Sequence, residues 1–149
     1  METDYIDYKI VPITFSFIRK NLVQLISIDK SISNSNWRED NFLVPLPGKW
    51  EFSYGLIIQN IPVGFIISSI KESNIHIHRF AVAEPYQNHG YGRLLLQALF
   101  QKCREDNYRR LTLKVDYSNA KAIKFYKNNG FIILKKINGN YMMQKLLES

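Results

Sequence analysis

Gln87-Asn88-His89-Gly90-Tyr91-Gly92 is the segment of this chain best suited to hold an anion. Just upstream, Ile75-His76-Ile77-His78-Arg79-Phe80-Ala81-Val82 reads as a strand. Just downstream, Tyr91 to Asp106 carries Leu94, Leu95, Ala98, Leu99 and Cys103 at helical spacing. A glycine-bearing turn from strand into helix leaves the first N–H groups of that helix without intrahelical partners. With the helix dipole behind them, those groups bind phosphate oxygens. Gly90 and Gly92 have no side chain, so a bulky anion can approach the backbone closely. The P-loop is excluded because no Gly-Lys-Ser/Thr follows, and Leu95 stands where a dinucleotide fingerprint needs its third glycine. An ordinary strand-to-helix turn also holds glycines, so the loop alone leaves both readings open.

A second constellation lies downstream. Leu111-Thr112-Leu113-Lys114-Val115 alternates as a strand does, and Ser118 is the expected helix N-cap. Asn119, Ala122 and Tyr126 follow at spacings of three and four, which puts them on one helix face. Gly130 then ends the helix as a left-handed cap would. Taken alone, this is also the pattern of an amphipathic helix with a glycine stop. Taken together and in this order, the two segments resemble the GNAT family of acyl-CoA N-acyltransferases. Gln87-x-x-Gly90-x-Gly92 is similar to the family's pyrophosphate loop. Asn119-x-x-Ala122-x-x-Phe125-Tyr126, followed by Gly130-Phe131, is similar to its signature helix. The close resemblance covers roughly residues 75 to 147, and the first half of the chain matches in its rhythm of elements.

The resemblance implies one domain over residues 1–149 with an α+β, GNAT-like fold. Its mixed, mostly antiparallel sheet has about seven strands and about four flanking helices, and its central strands splay to leave a cleft. The implied co-substrate is acetyl-CoA, and the implied acceptor is a primary amine of a small molecule or of a peptide or protein. Ala81, Val82, Gln87, Asn88, His89, Gly90, Tyr91, Gly92, Arg93, Asn119 and Tyr126 fall at cofactor-binding positions, and no metal site is implied. A backbone N–H in the Val82 region is the implied donor to the oxyanion. Tyr126 matches the tyrosine near the CoA sulfur; a buried structural tyrosine is the alternative. A free phenol has a pKa of about 10 and a thiol about 8.5, so full proton transfer to the thiolate would be uphill by about 2 kcal/mol. Asn119 is read as a pantetheine contact, as a helix cap, or as both.

The general base is the least defined part. His76 occupies the fourth-strand position at which some family members carry an acid, and His78 shares its face because side chains alternate. Histidine has a suitable intrinsic pKa, although one on a half-buried strand is often structural. Glu84 and Glu51 are further candidates. The ribosomal-protein N-terminal acetyltransferases, similar around the signature helix, carry a glutamate where this chain has Lys114. An α-amine of pKa about 8 is neutral in about a tenth of molecules at pH 7, against about one in two thousand for a lysine amine. An α-amine acceptor therefore needs little more than ordered water.

Elsewhere, composition sets limits. A chain of 149 residues with 46% apolar content can build one packed core. No apolar run approaches a membrane span, and Met1-Glu2-Thr3-Asp4 lacks a signal layout. Cys103 is the sole cysteine and reads as a buried apolar residue. These features point to a cytoplasmic protein. The net charge of +7, from 20 basic and 13 acidic residues, suits polyanions in general. No aromatic-basic stacking motif accompanies it, so nucleic acid is not expected as a direct partner. His89, Arg93, Lys121, Lys124 and Lys127 are candidates to face CoA phosphates.

The elements that must position these groups follow the same resemblance. Tyr5 to Val11 suggests a strand and Thr14 to Ile28 a helix with Phe17, Ile18, Leu22, Leu25 and Ile26 on one stripe. Ser31 to Asn36 reads as a polar loop, and Asn36 to Leu43 as a short helix capped by Asn36 or Ser35. Trp50 to Gln59 and Val63 to Ile70 read as strands joined at Asn60-Ile61-Pro62, with a second turn at Lys71 to Asn74. Phe131 to Ile137 and Tyr141 to Leu147 flank Asn138-Gly139, a strong hairpin signal. Trp37, Phe42, Trp50, Tyr54, Tyr141 and Met142 either line the acceptor site or belong to the core. A non-catalytic acyl-CoA-binding module is the alternative function, and a homodimer is compatible with either.

Overall fold

The computed structural model describes residues 7–32 and 37–148. In chain order its elements are β1 (Tyr8–Pro12), α1 (Phe15–Ile32), α2 (Glu39–Leu43), β2 (Tyr54–Ile58), β3 (Ile61–Lys71) and β4 (Asn74–Val82). A 3-10 turn (Glu84–Tyr86) leads to α3 (Tyr91–Glu105), β5 (Arg110–Asp116), α4 (Ala120–Asn128), β6 (Ile132–Ile137) and β7 (Asn140–Leu146). The seven strands form one sheet in the order β1-β2-β3-β4-β5-β7-β6. Only the β4–β5 pair is parallel. This is the expected α+β, mostly antiparallel arrangement with four α-helices.

Each face of the sheet has its own core. Leu95, Leu96, Leu99, Phe100 and Cys103 of α3 pack on Leu56, Ile66, Ile75, Ile77, Leu111 and Leu113. On the other face Ile18, Leu25 and Ile28 of α1, with Phe42 of α2, cover Phe65, Ile67 and Ala81. The strand alternation of the sequence thus feeds two apolar layers. Fully burying each of these aliphatic side chains is worth about 1.5–3 kcal/mol.

Three hairpins turn at Gln59–Asn60 (φ 51° and 66°), Glu72–Ser73 (51° and 66°) and Asn138–Gly139 (47° and 85°). Two consecutive left-handed residues are the geometry of a primed turn, whose twist matches the strands it joins. The first turn therefore closes one residue earlier than Asn60-Ile61-Pro62 suggested, and Ile61 and Pro62 belong to β3.

Other expectations need correction. Residues Trp50 to Phe52 do not extend β2. They belong to a turn in which the N–H groups of Glu51 and Phe52 bond to the Gly48 carbonyl. Ser118 is not the N-cap of α4. It donates through N and Oγ to Asp116 Oδ1 (2.8 and 2.6 Å), while Asn119 Oδ1 accepts from Ala122 N at 3.1 Å. Helix α1 runs on to Ile32, absorbing Ser31, and is interrupted at Asn21 (φ −115°, ψ 16°), whose side chain donates to the Phe17 carbonyl. Tyr5 of the proposed first strand, the remainder of the polar loop and the caps at Ser35 and Asn36 lie outside the described residues.

Lys49 is fully buried. Its Nζ donates to the carbonyls of Phe42 (2.6 Å) and Val44 (2.7 Å) at the C-terminal end of α2, and lies 5.1 Å from the centre of the Trp50 ring. Burial lowers its pKa to about 8. Among the described residues, no helix is long and apolar enough to cross a membrane.

Candidate active site

The parallel seam between β4 and β5 is short. Ile75, His76 and Ile77 pair with Leu111, Thr112 and Leu113, and there the pairing stops. Beyond it β4 runs on to Val82 and β5 to Asp116 without bonding each other, which is the expected splay of the central strands. A bulge helps to shape the gap. Ile67 of β3 opposes Arg79 while Ser68 opposes Ile77, so His78 is the extra residue on β4. Such a bulge bends a strand and re-aims the side chains after it. Phe80 and Val82 accordingly join the core under α3, while Arg79 turns to the α1 side.

The alternation of the ladder fixes where the backbone of Val82 points. Ala83 N donates to Val63 O of β3 at 2.8 Å. Neighbouring residues of a strand direct their N–H groups to opposite sides. The Val82 N–H therefore faces the gap. The Val82 carbonyl faces the same way and accepts from Gln87 Nε2 at 2.8 Å. Gln87 Oε1 in turn accepts from Lys121 Nζ of α4 at 2.7 Å. One side chain thus ties the end of β4 to the start of α4 across the mouth of the gap, a link that residue spacing did not signal.

The glycine loop opens α3 as expected. Asn88 (φ 65°) and Gly90 (φ 87°) are left-handed, and Gly90 is the N-cap. The first backbone bond of the helix is Leu94 N to Gly90 O, which leaves the N–H groups of Tyr91, Gly92 and Arg93 without intrahelical partners. No side chain caps them. A Cβ on Gly90 would meet nothing within 4 Å, so that residue faces open space. Gly92 is needed for a different reason. A Cβ there would lie 3.2 Å from Phe125 and 3.4 Å from Phe80, so its bare backbone lets α3 seat against α4 and β4. Asn88, His89 and Arg93 are exposed around the loop, and Tyr91 is partly buried beside His89, with ring centres 6.4 Å apart.

Tyr126 is set by the way α4 ends. Phe131 N donates to Tyr126 O and Gly130 N to Lys127 O, the two bonds of a Schellman cap, with Gly130 at φ 95°. The same motif brings the Phe131 ring to 5.6 Å from the Tyr126 ring. Phe125 and Phe80 complete the cage at 5.6 and 6.1 Å. Burial among these rings raises the phenol pKa above its ordinary value, with Arg79 opposing. Tyr126 is thereby kept as a neutral O–H donor. Asn119 uses its oxygen as the helix cap.

His76 and His78 do lie side by side, with ring centres 4.9 Å apart. His76 sits in the bonded half of the seam, however, 7% exposed, with Nδ1 2.8 Å from Thr112 Oγ1. Burial, then His78, Lys71 and Lys114, lower its pKa to about 4. His78 Nε2 lies 2.6 Å from Ser69 Oγ, and its pKa is lowered first by burial and then by Lys71 and Lys49. Glu84 and Glu51 are exposed. Cys103 is fully buried in the α3 core, and burial, with Asp106, pushes its thiol up to about 12.

Arg79 forms a bidentate pair with the buried Asp29 of α1 (Nε–Oδ1 2.9 Å, Nη2–Oδ2 3.1 Å) and lies 5.8 Å over the Trp37 ring. No local pattern joins residues 50 positions apart, although a lone arginine in an apolar strand was a visible signal. Of the aromatic candidates for an acceptor wall, Phe42 is core, Tyr54 and Tyr141 pack at the edge of the α3-side core, and Trp37 and Trp50 pack at the edge of the other. Lys124 and Lys127 line a separate cleft of about 430 Å³ with Tyr117 and Tyr141.

Residues 22–131 match the Acetyltransferase (GNAT) family. N-alpha-acetyltransferase 30 of Saccharomyces cerevisiae is 25% identical over 88 residues, a match that takes in 56% of this chain and 50% of that protein. The chain thus spans about half the length of that curated relative. Ard1 from Thermoplasma volcanium is similar with a TM-score of 0.84 at 26% identity, over 95% of this chain and 99% of that one. Arabidopsis thaliana Naa50, in complex with the bisubstrate analogue CoA-Ac-MVNAL, is similar with a TM-score of 0.75 at 26% identity, over 93% of this chain and 97% of the other. The matched residues take in the glycine loop, the split seam and the whole of the helix that Gly130 closes, and on that ground the chain belongs to the GNAT acetyltransferase family.

Proposed function

We propose that this chain, acting as one unit over residues 1–149, transfers acetyl from acetyl-CoA to the primary amine of a peptide or small molecule. The observation that carries the reading is the split seam, which aims the Val82 N–H into a gap flanked by the glycine loop and Tyr126. The N–H groups at the start of α3 suit the pyrophosphate, and open space at Gly90 lets it approach. Gln87, Asn88, His89, Arg93 and Lys121 surround that anion site. In this reading Ala81 and Val82 offer strand backbone to the pantetheine arm, and Asn119 offers it an amide.

In this proposal the Val82 N–H donates to the thioester oxygen, and its bond strengthens as attack by the amine makes that oxygen an anion. A preorganised donor of this kind lowers a barrier by about 3 kcal/mol. Collapse then breaks the C–S bond, and the sulfur leaves as thiolate. The Tyr126 O–H donates a hydrogen bond to it. The raised phenol pKa keeps the proton on Tyr126, so the thiolate takes up, through water, the proton lost by the attacking nitrogen as it becomes the amide. We do not assign the base to His76, because its nitrogen is committed to Thr112 and a pKa of about 4 makes it a weak acceptor. Ordered water suffices for an α-amine. The name of the yeast relative and the CoA–peptide analogue on the Arabidopsis protein support a peptide α-amine as acceptor.

The cytoplasm, where acetyl-CoA and free amines meet, is the compartment we propose. A homodimer is a further proposal, resting on β6 as an edge strand, and its check is the molecular mass in solution. The committed state of His76 favours a second reading, an acyl-CoA-binding module without turnover. Calorimetric titration with acetyl-CoA, run beside Gly90→Glu, tests the first step of either. Release of free CoA in the presence of an amine panel separates them.

A further inference from the structure

The sheet face that carries His76 is roofed by α1 and α2 only over the strands up to β4. Beyond β4, no helix among the described residues contributes to that core. Thr112 pairs with His76 on one side and with Gln144 on the other, and Gln144 pairs with Ile132. Alternation therefore puts Arg110, Thr112, Lys114 and Asp116 of β5 on this face, with Met142, Gln144 and Leu146 of β7. Lys135 of β6 stands opposite Met142. Lys114, Lys135 and Leu146 are exposed, and Arg110 is fixed by donating from Nε to Gln144 Oε1 at 2.6 Å.

Basic side chains outnumber acidic ones on this face, with Arg110, Lys114 and Lys135 set against Asp116 at the far end of β5. The charged groups acting on His76 are His78, Lys71 and Lys114, and those acting on His78 are Lys71 and Lys49. The nearby acids are few, and the Ser118 hydrogen bonds keep Asp116 ionised. Asp29 is paired with Arg79, Asp116 accepts from Ser118, and Glu72 lies in the hairpin turn before β4. Lys114 is the first β5 residue past the point where pairing with β4 stops, so it stands at the root of the gap. The glycine loop and α4 flank the gap from the other side, which leaves this cationic face as the approach for the amine. A bare ammonium is repelled here unless its carrier brings negative charge.

We propose that the acceptor is a peptide whose α-amine is followed by acidic side chains, which lie across β5, β7 and β6 against Lys114, Lys135 and Arg110. This rests on the acetyltransferase reading above. From β4 to β6 there are three strand spacings of about 4.8 Å, roughly 14 Å, which suits about four extended residues. A small diacid would reach only the first of these cations.

Steady-state acetylation by the full chain tests it, with two peptides that share an N-terminal alanine. One carries Glu or Asp at the next three positions, and the other carries their amides. The acidic peptide is expected to show about tenfold higher kcat/KM, through KM, because each exposed pair contributes a few-fold. The advantage should shrink in about 0.5 M salt. The Lys114→Gln/Lys135→Gln double variant should lose most of it while keeping its acetyl-CoA affinity and its rate on the amide peptide. Equal kcat/KM for the two peptides, or a preference that survives in the double variant, overturns the inference and leaves the acetyltransferase standing. Faster transfer to free glutamate than to the acidic peptide overturns it as well. Acetyl-CoA binding with no transfer to any amine would remove the reading beneath it.

Discussion

Between Ile75 and Ile77 the fourth strand is bonded to Leu111–Leu113 of the fifth, and from Phe80 to Val82 it faces the same strand across a gap. In the bonded stretch His76 meets Thr112, and at the bulge just beyond it His78 meets Ser69. In the open stretch the Val82 N–H points away from β3 into the gap, and the first N–H groups of α3 have no intrahelical partners. The difference teaches where to look for chemistry. A histidine bonded to the neighbouring strand helps to hold the seam together. A backbone donor whose bond is missing is available to a ligand, because a buried donor left unpaired costs about 1–3 kcal/mol that a ligand can recover.

The largest test of that contrast is Gly90→Glu. A side chain at φ 87° is strained by about 1–3 kcal/mol, and its carboxylate would sit where an anion belongs. Acetyl-CoA affinity should fall by about 100-fold or more in calorimetry, with the circular dichroism of the fold retained. Unchanged affinity would return the loop to an ordinary turn. Next comes Tyr126→Phe, which removes a hydroxyl and leaves the cage of rings. We expect kcat to drop by about 10- to 100-fold with acetyl-CoA affinity within a few-fold of wild type. An unaltered kcat would make the tyrosine a packing residue.

In the bonded half the order of effects reverses. Thr112→Val leaves the His76 Nδ1 without its partner and should cost about 1–3 kcal/mol in denaturant unfolding, with acetyl-CoA binding intact. Loss of binding without loss of stability would erase the distinction between the two halves. The smallest effect is in the pH dependence of stability. The His76 pKa is about 4 in the folded chain against about 6.5 for free histidine, so the unfolded chain binds more protons between those values. Its contribution is complete above about pH 6.5 and declines as pH falls toward 4, by about 1–2 kcal/mol once solvent screening is allowed for. A His76→Phe variant should show a shallower acid slope. A kcat/KM profile whose acid limb breaks near pH 4 in folded wild type and is absent in this variant would restore His76 as the base.

The order of all seven strands and four helices was legible because each element carries its own period and the turns carry their own residues, as at Asn138-Gly139. So were the glycine loop and Tyr126, whose spacing is local. What escaped was whatever depends on bringing distant segments together. The Asp29–Arg79 pair and the Gln87–Lys121 link bridge 50 and 34 positions, which no local window spans. The boundary of β2 was misjudged because Trp50 and Phe52 are good strand residues placed in a turn that Gly48 closes. Ser118 lost the cap to Asn119 because the Asp116 carboxylate claimed its hydroxyl first. Histidine on a strand looked like a base because intrinsic pKa is visible in sequence and burial is not.

Lys49 turns the chain into a gauge of its own breathing. Its lowered pKa makes it more often neutral, and so intrinsically more ready to be acylated, than an ordinary lysine at the same pH. Its amine is nonetheless sealed beneath α2, bonded to the Phe42 and Val44 carbonyls. In a pulse of an amine-reactive ester, exposed lysines such as Lys114 and Lys135 label at once, and Lys49 labels only when α2 lifts. The rate at which mass accrues on the peptide holding Lys49 would therefore time the opening of that one helix.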